Sequence, residues 1–244
     1  MKKYLLWLFL VLPSLVVSAQ NEKNIVYDDH VQVRKVTGFN SIEVSGPINL
    51  FMSQGNDEAV AVSAGDQELL ERIKTEVRDN VLYIRFDGKG LSWNRNWQNN
   101  KIKAYVTFTQ LKKLEASGAC NIKITNQLKL TDLKVELSGA SDITGEGSFT
   151  NLQLSLSGAS ECKLSGSSDR TNIICSGASS VRAFDLKCEN AKVDVSGAAS
   201  VRITVNKEIS ARASGASSIS YKGAAMMKDI SSSGASSVKH RTDD

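Results

Sequence analysis

Histidine and proline are almost missing from this chain. Its 244 residues include two of each: His30 and His240 near the two ends, Pro13 close to the start, and Pro47. Histidines this few and this far apart argue against a Ser-His-Asp hydrolase, a multi-histidine zinc site and a haem pocket. An excess of one charge is missing too. The formal net charge is +4, and beyond residue 19 the chain carries 28 basic against 26 acidic side chains. That balance leaves no electrostatic footprint for nucleic acid. Apolar residues make up 41% and charged residues 23%, which is the composition of a globular chain rather than a disordered one. The length suits one large domain or two small ones.

Long apolar runs are confined to one place. Tyr4 to Val17 is apolar apart from Pro13 and Ser14, and Lys2 and Lys3 precede it. Its 14 residues fall short of the roughly 20 needed to span a bilayer. Val17-Ser18-Ala19 then offers a small-residue cleavage site before Gln20. Residues 1–19 therefore read as a secretory signal peptide. No cysteine follows the cleavage site, so a lipid anchor is not expected, nor is a membrane span in the mature chain. The expected location is exported: periplasm, cell surface or extracellular.

The main feature present is a repeat. Ser-Gly-Ala occurs seven times, with its serines at Ser117, Ser138, Ser157, Ser176, Ser196, Ser214 and Ser233, at steps of 21, 19, 19, 20, 18 and 19 residues. Aligned on that serine, the chain shows fixed columns. Five residues later stand Ile122, Ile143, Cys162, Val181, Val201, Ile219 and Val238. Three residues earlier stand Leu114, Val135, Leu154, Ile173, Val193, Ala211 and Ile230. The residue just before the serine is also mostly apolar, whereas the columns between and beside these are mostly polar. Alternation with a period of two means strand with one face buried. Each copy is expected to hold two short β segments joined by Ser-Gly-Ala, where Gly adopts positive φ and the small neighbours let corners stack. A unit of this length cannot bury its apolar side alone, so successive coils must share one core. The expected fold is all-β, a right-handed parallel β-helix over residues 117–240. A leucine-rich repeat is excluded because its leucine pattern and helical half are missing. The phase also reads the cysteines: Cys162 and Cys175 occupy apolar columns and are expected to be buried free thiols.

Ahead of the repeat, residues 20–36 read as a polar, flexible entry segment, and residues 37–116 as a β-rich part of the same stack. Strands are expected at 41–44, 48–52, 59–63, 73–77, 81–86 and 102–108, with a helical turn or two within 66–72. The loop at 87–100 contains Trp93, Arg95 and Trp97. These tryptophans could stack on a sugar or a partner protein, or cover an open end of the core.

Certain stretches here resemble a known family. Gly38-Phe39-x-x-Ile42-x-Val44-Ser45-Gly46-Pro47-Ile48-Asn49-Leu50, Gln54-Gly55-Asn56 and Asp79-Asn80-x-Leu82-x-Ile84, followed by the Ser-Gly-Ala-Ser coils, look like the auto-transporter adhesin head domain, or GIN domain. The likeness runs from Val36 to Val238. Cys120 after the first Ser-Gly-Ala and the last coil, with Ser232 and His240, depart from the pattern. The resemblance implies an exported β-helical protein of the Bacteroides type, adhesin-like, and supplies no catalytic residues.

Parallel β-helices also carry polysaccharide-degrading enzymes, so the carboxylates need weighing. Asp142 and Glu161 share one column in adjacent coils, beside Asn121, Lys163 and Arg182. They could form a glycosidase pair or part of a calcium site, or an exposed charge ladder neutralised by its basic neighbours. Glu115 and Glu136 stack in the same way. The column Lys123, Lys163, Arg182, Arg202 and Lys239 could attract an anionic polymer or simply be a solvated face. The repeat coils carry only Phe149, Phe184 and Tyr221 as aromatics, which is no aromatic platform. The expectation is a non-enzymatic, adhesin-like envelope or surface protein, with no cofactor and no metal, that binds a protein or glycan on its exterior. The alternatives are a polysaccharide lyase or hydrolase using Asp142 and Glu161, and a structural or regulatory periplasmic module.

Overall fold

The computed structural model describes residues 30–91 and 101–242. The signal peptide and the tryptophan pair, Trp93 and Trp97, lie outside the described residues. In chain order the elements are β1 (Val31–Arg34), β2 (Ser41–Gly46), β3 (Ile48–Gln54), β4 (Ala59–Ser63), α1 (Gln67–Glu71), β5 (Ile73–Arg78), β6 (Val81–Phe86), β7 (Ile102–Phe108), β8 (Lys113–Gly118) and β9 (Asn121–Ile124). Then come β10 (Leu128–Leu137), β11 (Asp142–Leu156), β12 (Glu161–Cys175), β13 (Ser180–Val195), β14 (Ser200–Ala213), β15 (Ser218–Lys222), β16 (Met226–Ser232) and β17 (Ser237–His240).

From β8 onward each strand pairs in parallel with the strand one coil later. Leu114 sits opposite Val135, Val135 opposite Leu154, Leu154 opposite Ile173, and Ile173 opposite Val193. The sequence columns are thus ladders of stacked side chains. Those pointing inward form one continuous buried core, the shared interior of a parallel β-helix. One expectation needs correction. The two short β segments of a coil are fused: β11, β12 and β13 run for 15, 15 and 16 residues from one corner to the next. The Ser-Gly-Ala corner ends each of these strands, and within them the ladder shifts register at Lys163/Gly166, Ala183/Lys187 and Cys188/Asn190. The strand bends without breaking because each bent segment still finds its hydrogen bonds on the coil below.

The corner needs its glycine for two reasons. Gly177 has φ of +71°, and a Cβ placed on it would lie 2.7 Å from the carbonyl oxygen of Gly158 in the coil below. That close approach is itself a bond in the ladder: the Ala178 amide donates to the Gly158 carbonyl at 2.8 Å.

Three residues after the repeat serine lies a column that the alternation does not reveal. Ser141, Ser160, Ser179 and Ser217 are buried within the stack. Ser141, Ser160 and Ser179 donate their hydroxyls to the carbonyls of Ser138, Ser157 and Ser176, at 2.9, 2.9 and 2.8 Å. A buried hydroxyl with such a partner avoids the desolvation cost of an unmade bond. In the first coil the same position is Cys120, whose Sγ lies 3.3 Å from the Ser117 carbonyl.

The N-terminal portion joins the stack out of chain order. β2 pairs in parallel with both β6 and β8, and β3 with both β7 and β9. The β2–β3 coil therefore lies between the β6–β7 coil and the β8–β9 coil. Beyond β6 and β7 the stack is closed by antiparallel strands: β5 on β6, β4 on β7, and β1 on β4. Part of the segment read as a flexible entry is thus strand β1. Helix α1 bridges β4 and β5, capped by the Asp66 carboxylate accepting from the Leu69 amide at 2.8 Å, with Leu69 and Leu70 buried. At the opposite end nothing among the described residues stacks on β16 and β17. Every residue of β16 is exposed, Met226 by 74% and Met227 by 63%.

Candidate functional site

The interior is filled, so candidate functional groups sit on the outside of the coils. Residues four and six after the repeat serine face outward on either side of a buried column: Ile143, Cys162, Val181 and Val201 are at most 1% exposed. This rigid support fixes the positions of the outer side chains.

Asp142 lies directly opposite Glu161 on the next strand, and Asn121 opposite Asp142. The Asp142 Oδ1 accepts from the backbone amide of Glu161 at 3.1 Å. Glu161 Oε2 pairs with Arg182 at 3.2 Å and lies 3.5 Å from the Ser180 hydroxyl. Asp142 is exposed and Glu161 half-buried. Both carboxylates are engaged by local partners on an open face. A glycoside hydrolase needs one carboxyl kept protonated by burial, and this face provides no such burial. Among the described residues no three histidine, cysteine or acidic side chains converge as a metal site.

The basic column forms one row across the strands. Lys163 stands opposite Arg182, and Arg182 opposite Arg202, while Thr144 separates Lys163 from Lys123 and Ser220 separates Arg202 from Lys239. All five cations are exposed. Among the described residues, only Arg182 of the five has an ion-pair partner. Beside the row stand Ser180, Ser200, Ser218 and Ser237, each half-buried.

The sheet that carries Glu115 and Glu136 is arranged differently. Lys113 Nζ lies 2.7 Å from Glu115 and 2.6 Å from Glu136, and Lys134 lies 2.7 Å from Glu136. Donating to Glu115, then Glu136, raises the Lys113 ammonium, and accepting from Lys113, then Lys134, lowers the Glu136 carboxyl. Here alternating signs neutralise the stacked like charges. A groove of about 590 Å³ runs along the neighbouring corner. Its side chains form a ladder in which Asn151 donates to Asp132 at 2.6 Å and Arg170 donates to Asn151 at 2.7 Å.

Cys162 and Cys175 are where the phase put them, buried and free, as are Cys120 and Cys188. Burial raises the Cys162 thiol and pushes Cys175 and Cys188 up to about 11. Sequence reasoning missed one aromatic feature. Phe51 on β3 and Tyr105 on β7 stack across neighbouring strands with ring centroids 5.3 Å apart. The signal was available in the two alternating strands, but their adjacency depends on the out-of-order coil.

These features define a parallel β-helix whose chemistry is displayed along its outer faces. The family model "Putative auto-transporter adhesin, head GIN domain" matches residues 38–225, and the chain belongs to this family. No curated protein matches the sequence. Among solved structures, it is similar to a "putative adhesin" from Bacteroides fragilis NCTC 9343, with TM-score 0.79, 21% identity, and coverage of 86% of this chain and 96% of that one. A "putative adhesin" from Parabacteroides merdae ATCC 43184 has TM-score 0.69 and 18% identity, over 87% and 95% of the two chains. A "putative lipid binding protein" from Parabacteroides distasonis ATCC 8503 has TM-score 0.62 and 18% identity, over 88% and 98%. At these identities the likeness is one of fold.

Proposed function

We propose that this protein is an exported, non-enzymatic, adhesin-like binding protein of the cell envelope or surface, and that it meets a protein or glycan with the exterior of its coils. One observation carries this reading: the interior is a continuous apolar stack, while the best carboxylate pair, exposed Asp142 and half-buried Glu161, lies on an outer face and is bonded to its own neighbours. Family membership supports the adhesin-like role. Export is supported by the leader, and no helix among the described residues is long and apolar enough to cross a membrane. The mature chain, from Gln20, applied to glycan and host-protein arrays is expected to bind without turnover. Cleavage of an arrayed glycan, lost in Asp142→Asn, would replace this reading with the hydrolase or lyase. Intact mass of protein taken from its native envelope checks the export step, and a retained leader sinks it.

A further inference from the structure

Like charges set directly opposite each other on neighbouring strands are destabilising. Lys113 stands opposite Lys134 and Glu115 opposite Glu136, but those two like-charged pairs neutralise each other through Lys–Glu ion pairs, whereas Lys163, Arg182 and Arg202 stand in register on β12, β13 and β14 without such a compensating row. Strand spacing puts the backbones that carry these cations about 4.8 Å apart. Lys163 and Arg202 have no ion-pair partner among the described residues, and of the two acids in the column beside the row, Asp142 and Glu161, only Glu161 makes an ion pair with it, to Arg182. A row that repels itself gains from a counter-anion with the same repeat. The Ser180 and Ser200 hydroxyls lie beside it, and the inward residues Cys162, Val181 and Val201 hold the strands rigid.

Resting on the exterior-binding reading above, we propose that this strip is a subsite for an acidic polysaccharide. The polymer lies along the stack and sets carboxylate or sulfate groups against successive coils. Guanidinium groups suit such anions because their fork of N–H donors meets two oxygens of one carboxylate or tetrahedral oxyanion at once, and the serines suit sugar hydroxyls. A nucleic acid fits less well because no aromatic side chain on the row can stack a base. A lipid surface fits less well because the row has no apolar side chain to insert.

Binding of the mature chain to heparin, polygalacturonate and neutral dextran, each at about 50 and 200 mM salt, tests this. Wild type is expected to bind the two polyanions, to ignore dextran, and to lose affinity as salt rises. Arg202→Gln, which breaks no ion pair, is expected to reduce the slope of log K against log salt by about one. Adding Arg182→Gln is expected to weaken binding by about a further tenfold or more, as a charge-assisted contact is lost. Lys134→Gln, on the self-neutralised sheet, is expected to leave both unchanged. Equal binding of dextran, or polyanion binding indifferent to Arg182 and Arg202, overturns the assignment. Tighter binding to single-stranded DNA or to anionic vesicles through the same arginines overturns it in favour of those partners. If the arrays yield a ligand that neither arginine affects, exterior binding stands and the strip loses its role. If no ligand is found, both fall.

Discussion

The coil around Gly177 and the coil around Gly234 carry the same tripeptide and nearly the same corner, with φ of +71° and +72°. Their surroundings differ. Gly177 is covered by a further coil, and the inward residues nearby, such as Ile173 and Val193, are wholly buried. Around Gly234 the inward positions Met227 and Ile230 are 63% and 38% exposed. Identical local geometry thus comes with very different burial. In a stacked repeat, stability resides in contacts between units more than in the unit, and this pair of coils puts that rule in one molecule.

The largest effect expected from this contrast is at the glycines. Gly177→Val forces a β-branched residue into positive φ, a strain on the order of 1–3 kcal/mol. It also drives Cβ against the Gly158 carbonyl, and such overpacking costs about 1–3 kcal/mol more. Gly234→Val meets the same strain, with the Gly215 carbonyl 2.9 Å from the new Cβ, but its coil can shift outward because no described coil follows. Melting curves should fall much further for the first variant, and equal falls would break the comparison. Next in size, Leu154→Ala removes a fully buried side chain and is expected to cost about 2–5 kcal/mol. Met227→Ala, at the exposed end, should stay within about 0.5 kcal/mol. Urea titrations separate the two.

A smaller effect should follow pH. Burial raises the thiols, so unfolding lets them ionise near their ordinary value of 9.0 while Cys175 and Cys188 resist up to about 11 in the fold. Within that window the unfolded chain binds fewer protons, and stability must fall as pH rises. The contribution is whole below pH 9 and lost on passing about 11. Replacing both cysteines with alanine should make this alkaline limb shallower in denaturant titrations, the buried Cys162 keeping the remainder. The thiols should also react with labelling reagents only after unfolding, and rapid labelling of the native protein would contradict their burial. The smallest effect is expected at Asp142→Asn, where an exposed contact is worth about 0–1 kcal/mol, with no change in turnover because none is expected.

The stack itself was legible because columns such as Leu154, Ile173 and Val193 repeat their apolar character at a fixed spacing. The buried serines were not. Ser160 and Ser179 look like surface residues until their hydroxyls are seen bonded to the carbonyls three residues earlier. The order of the first coils was not legible either, since nothing in the alternation of β2 or β6 states which strands they will join. For the candidate site, the phase alone placed Asp142 beside Glu161 and Lys163 beside Arg182. It could not show that Arg202 lacks an ionic partner among the described residues or that Lys113 bridges two glutamates, because those depend on side-chain reach.

The coil that begins the chain's stack, β2–β3, is hydrogen-bonded on one side to β6–β7 and on the other to β8–β9. It cannot be completed on both edges until the polypeptide has been made as far as Ile124. During synthesis, which runs at about 5–20 residues per second, the first half of the molecule must therefore wait and settle as one block. Each later coil can then dock as it emerges on the finished edge of its predecessor. The early block acts as a template and the repeats as growth upon it. Deleting coils from the far end should shorten the rod, whereas deleting β2–β3 should leave no surface on which to begin.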